Sequence, residues 1–106
     1  MLVNPLRGEV ALRADGQVHV LRLSLGALAA LETAMGADSL ADLAERIERG
    51  GLRSRDVILV LAAGFHGAGR PVDEAAVAEM AIEGGAAAAA RVAVDLIAAA
   101  FGADPA

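Results

Sequence analysis

Asp15-Gly16 constrains this chain more than any other pair of residues. It sits between two alternating runs in "RGEVALRADGQVHVLRL". Both positions of such a pair can take positive φ, the requirement of a two-residue hairpin turn. Before the turn, Val10 and Leu12 alternate with Glu9, Ala11 and Arg13. After it, Val18 and Val20 alternate with Gln17 and His19. A β-hairpin over residues 7–23 is therefore expected. The alternation shifts phase at Leu21 and Leu23, which predicts a bulge or the end of the ladder there. On this reading His19 shares a face with Gln17, opposite the valines, and points to solvent.

Everything after the hairpin reads as helix. Ser24 has the chemistry of an N-cap, because its hydroxyl can accept from the free amides of a first turn. The helix that follows carries Leu25, Leu28, Leu31 and Met35 on one side and stops at Gly36. A second helix is expected from Asp38 or Ser39 to Gly50-Gly51, with Leu40, Leu43 and Ile47 inward. Its pairs Asp42–Arg46 and Glu45–Arg49 stand at i,i+4 on the wet side. Ser54 is expected to cap a third helix. The run "VILVLAAGF" is apolar all round, which marks that helix as the buried centre. Asp73 caps a fourth helix, with Val77, Met80 and Ala81 inward and Gly84-Gly85 as its break. A fifth runs from 86 to 101, with Val92, Leu96 and Ala99 in one row and Ile97 and Phe101 beside it. The expected fold class is α+β, one domain over 1–106: a hairpin at 7–23, about five helical segments over 24–101, and a tail at 102–106.

The stretch "GFHGAGRP" at 64–71 invites a phosphate-loop reading. The order of elements opposes it. Phosphate cradles place amides at the start of a helix that follows a strand, whereas Gly64, Gly67 and Gly69 come where a helix ends and Pro71 bars its continuation. The expected role is a helix stop.

Composition narrows the function classes. Of 106 residues 57% are hydrophobic, yet aromatics make up 2% and the net charge is −5. Nucleic-acid binding needs a basic face and stacking platforms, and this chain has neither tyrosine nor tryptophan. Arg7, Arg13 and Arg22 read as a solvated rim of the hairpin. No cysteine is present, which excludes disulfides, thiolate catalysis and cysteine-bound zinc. His19 and His66 are the only histidines, short of the three convergent ligands a metal needs. Ser24, Ser39 and Ser54 are accounted for as caps. Carboxylate pairs such as Asp73-Glu74 and Glu45 with Glu48 lie at helix starts and on polar faces, away from any pocket that would tune them. No catalytic, cofactor-binding or metal-binding residue is expected. The N-terminus lacks the apolar core of a signal peptide. In "GGAAAAARVAVDLIAAAF", Arg91 and Asp95 would each cost roughly 2.5–3.5 kcal/mol in a bilayer, while the large apolar residues return about 0.3–0.6 kcal/mol each. The expectation is a packed helix of a cytoplasmic protein, with no membrane span.

The ordered series "RGE", "LRLSLGALAALETAMG", "SLADLAERIERGGL" and "SRDVILVLAAGFHGAGRPVDEAAV" resembles the gene transfer agent family of phage-like tail proteins. The family's leucine-x-x-leucine-glutamate pattern is found at Leu28 to Glu32, and its glycine-rich turn before an acidic cap at Gly64 to Asp73. The resemblance covers residues 7–101. It implies a non-enzymatic tail assembly protein without cofactors, similar to the tail assembly chaperones of long-tailed phages and also labelled a tail tube protein. It further implies a cytoplasmic, self-associating chain that binds the tape measure protein and other tail proteins. Leu25, Leu28, Leu31 and Met35 are the expected partner-binding residues. The alternative is a structural subunit of the tail, tube or adaptor.

Overall fold

The structure, a computed structural model, describes residues 3–4, 7–36, 42, 45–46, 49 and 53–101. Over these the chain forms an antiparallel hairpin and four helices. The strands are β1 (Glu9–Ala14) and β2 (Gln17–Arg22). The helices are α1 (Leu25–Met35), α2 (Ser54–Gly67), α3 (Glu74–Ala78) and α4 (Gly85–Ala100). This is the expected α+β class, with the hairpin first. Most of the helix expected between Asp38 and Gly51 lies outside the described residues. Within it, Glu45 and Arg49 do form the ion pair their spacing implies. Arg46 Nη1 donates to the Met35 carbonyl at 3.0 Å, at the end of α1.

Asp15 and Gly16 take φ values of 53° and 73°, both in the left-handed region that a tight hairpin turn uses. The ladder then runs without interruption from Ala14↔Gln17 to Glu9↔Arg22. No bulge occurs at Leu21. Residues paired across a ladder share a face of the sheet, so Leu12 and His19 point the same way. Leu12 is buried, and so is His19 at 7% exposure. The expectation of a solvent-facing His19 is thereby overturned. β2 contains two apolar rows in opposite phase, Val18 with Val20 and Leu21 with Leu23. The turn ties the phase of β2 to that of β1, and this selects the leucine row. Leu21 and Leu23 are buried, while Val18 is 40% exposed.

α2 is the central helix, in contact with α1, α3, α4 and β2. It buries Val57, Leu59, Val60, Leu61, Gly64 and Phe65. Gly64 allows the close approach: a Cβ there would stand 3.0 Å from Leu96 Cδ1 and 3.1 Å from Leu21 Cβ. α4 faces it with Ala89, Ala93, Leu96 and Ile97, all buried. That row differs from the expected one, since Val92 and Ala99 are half-buried and Phe101 is exposed. Alanines on the inward row let two backbones approach.

Capping is local and mostly as expected. Ser24 Oγ accepts from Ala27 N at 3.1 Å, and Asp73 Oδ1 accepts from Ala76 N at 2.8 Å. At α2 the N-cap position is Arg53. Asp56 Oδ2 reaches back to Arg53 N at 3.1 Å, so Ser54 is the first helical residue and not the cap. α3 is shorter than expected and ends at Ala78. Its continuation turns instead to the hairpin tip. Asp15 N donates to the Ala81 carbonyl, and Glu83 N to the Arg13 carbonyl, both at 2.9 Å. Asp15 Oδ1 accepts from Ala81 N at 2.9 Å. These bonds satisfy backbone groups that a longer helix would have satisfied internally. They also bring Ile82 against the core.

Candidate functional site

The glycine turn has no amide left for an anion. Ala68 N donates to the Gly64 carbonyl, Gly69 N to His66 and Arg70 N to Phe65, at 3.0–3.1 Å. The last two bonds form a Schellman helix end, with Gly69 at φ 82°. His66 is exposed beside the turn. It lines a hollow of about 310 Å³ together with Leu31, Leu59, Val72 and Asp73.

His19 is the one buried polar residue among those described. Its ring meets Phe65 edge-on, with centroids 5.4 Å apart and planes at 68°. Neither ring nitrogen has a hydrogen-bond partner. Among the described residues no three His, Asp or Glu side chains converge as metal ligands would. No helix among them is long and apolar enough to cross a membrane. Arg7 and Arg22 gather with Arg70 and Glu9 around a hollow of about 270 Å³ at the open end of the hairpin. Arg13 lies toward the other end, near Gly16 and Glu83.

The four residues expected to bind a partner divide sharply. Leu28, Leu31 and Met35 are buried, whereas Leu25 is 83% exposed. The apolar row of α1 faces α2 and is spent on the core. A partner that leaves α1 in place reaches Leu25 alone of the four.

Another apolar opening lies elsewhere. A groove of about 420 Å³ runs between α2, α3 and α4. Val57, Leu61 and Val77 form its buried base. Half-buried Ile58, Met80 and Ile82 form its walls, and Ala86 and Ala87, small and exposed, leave one side open. The exposed carboxylates Glu79 and Glu83 follow Ala78 and Ile82 in the chain, at its margin. The groove exists because α3 has only five residues and cannot cover the flank of an all-round apolar α2. The all-apolar run in α2 was its one sequence signal. The early end of α3 was not readable, since it depends on the hairpin tip.

The family whose model matches the chain is described as phage tail tube protein, GTA-gp10, and the match spans residues 7–103. No curated protein and no solved structure matches.

Proposed function

The chain belongs to the phage tail tube protein, GTA-gp10, family, and from that premise we propose that it is a non-enzymatic tail assembly chaperone that covers apolar helices of the tape measure protein. The groove between α2, α3 and α4 supports this reading. An amphipathic helix docks by laying its apolar face into a groove of this kind. Ile58, Met80 and Ile82 supply apolar walls, and a chain of net charge −5 favours approach by basic flanks. A long tape measure chain exposes apolar stripes until the tube encloses it, and exposed stripes aggregate.

Co-expression with the tape measure protein of the same particle tests the proposal. The tape measure protein should stay soluble only with this chain, and the two should elute together. Met80→Glu puts a charge on the groove wall and should weaken the complex at least about tenfold, or roughly 1.4 kcal/mol. A tape measure protein equally soluble alone, with no complex on size exclusion, would end the chaperone reading. The family's description as a tail tube protein favours a second reading, a permanent tail subunit. Purified particles separate the two: a chaperone is absent from them, and a subunit is present in stoichiometric amount.

A further inference from the structure

Arg7, Arg22 and Arg70 are far apart in the chain, and the fold gathers them around one hollow of about 270 Å³. Each stands on backbone that hydrogen bonds hold in place. Arg7 N donates to the Asn4 carbonyl at 3.0 Å. Arg70 N donates to the Phe65 carbonyl at 3.0 Å, in the Schellman end of α2. Arg22 ends the ladder opposite Glu9. The end of α2 packs directly on this corner of the hairpin, where a Cβ on Gly67 would stand 2.0 Å from the Arg22 carbonyl oxygen.

The charges around the hollow do not balance. Three guanidinium groups meet one carboxylate there, and Glu9 Oε1 already accepts from Asn4 N at 2.8 Å. Among the described residues, none of the three guanidinium groups has a hydrogen bond or an ion pair. Arg46 and Arg49, by contrast, donate within the chain. The whole chain carries a net charge of −5, yet positive charge is left unneutralised at this corner. The helix end does not require it. The carbonyls of Gly64, Phe65 and His66 already accept from Ala68, Arg70 and Gly69.

We propose that this hollow docks a short acidic segment of a protein partner, whose carboxylates Arg7, Arg22 and Arg70 hold. Guanidinium groups bind carboxylates through paired, parallel hydrogen bonds. Val20 and Ala68 in the lining give the methylenes of such side chains an apolar surface. A helix is about 10–12 Å across, too broad for this volume, whereas one or two acidic side chains fit. A long polyanion such as nucleic acid meets the repulsion of the entire acidic chain. A short segment meets mainly the local charge, because salt screens charges beyond about 8 Å. The hollow selects acidic groups where the groove favours basic flanks, so this proposal does not rest on the chaperone reading.

Titration of an end-blocked triglutamate peptide into the isotope-labelled protein, followed by amide NMR, tests this. Triglutamine, inorganic phosphate and an oligothymidylate are titrated in parallel at the same ionic strength. Triglutamate should bind saturably and shift the amides of Val20, Arg22, Gly67, Ala68 and Arg70, and triglutamine should not. Arg22→Gln and Arg70→Gln should each raise the Kd roughly tenfold. Arg91→Gln, at an exposed position on α4, should leave it unchanged. No saturable binding into the millimolar range overturns the proposal. So does an affinity unchanged in both hollow variants, or lowered as much by Arg91→Gln. Tighter binding of phosphate or of the oligothymidylate at the hollow overturns it in favour of a phosphate site. The map of shifts on the wild type decides the matter even if a variant misfolds, since shifts confined to other residues also overturn it.

Discussion

Gly67 matters through contact and not through backbone freedom. A positive φ would have been one reason for a glycine here, yet that conformation belongs to Gly69. Gly67 is helical, and a Cβ on it would stand 2.0 Å from the Arg22 carbonyl oxygen and 2.9 Å from Ser24 N. Both obstacles are backbone, which cannot swing aside as a side-chain tip can. Gly67→Ala should therefore destabilise by about 1–3 kcal/mol, as overpacking does, seen as an earlier midpoint in a urea melt. A shift under about 0.5 kcal/mol would mean that the end of α2 slides off the strand freely. His19 presents the opposite case. Each of the two unpartnered ring nitrogens costs about 1–3 kcal/mol, while the edge contact with Phe65 returns about 0.5–1.5 kcal/mol. The penalty is the larger, so His19→Leu should hold or raise stability. A loss above about 1 kcal/mol in the same melt would show that the imidazole contributes more than it costs.

At the scale of elements, the four helices among the described residues carry unequal shares of the stability. α2 touches three helices and a strand, and Leu61 on it is 1% exposed. Leu61→Ala should cost about 2–5 kcal/mol, a large part of the whole for a domain this small. Leu25→Ala, at the exposed start of α1, should stay within about 0.5 kcal/mol. Denaturant melts of the two variants should differ by that margin. A cost below about 1 kcal/mol for Leu61→Ala would show α2 to be peripheral. α3 has the reverse importance. It is short, and what it fails to cover becomes the groove.

On the scale of the whole molecule, one segment links two surfaces. Residues 80–83 bond to the hairpin tip and close the β1 edge. The same segment supplies Met80 and Ile82 to the groove wall. The groove and the arginine hollow share no residue.

The sequence by itself determined the elements whose causes are local. Asp15-Gly16 specifies the turn, Ser24 and Asp73 start their helices, and the glycines before Pro71 end α2. The all-apolar run in α2 marks it as central. Tertiary structure alone decided which apolar row of β2 is buried, and hence that His19 lies inside. It also decided that α1 spends Leu28, Leu31 and Met35 on the core, and that α3 stops at Ala78. The physical reason is the same in each case. A period of 2 or 3.6 shows that a segment has an apolar side, but what that side meets depends on register and on segments distant in the chain. Val18 with Val20 and Leu21 with Leu23 were equally good rows until pairing with β1 tied one of them to Leu12. α3 could have run on to Gly84 until the hairpin tip offered Ala81 and Glu83 other partners for their backbone groups.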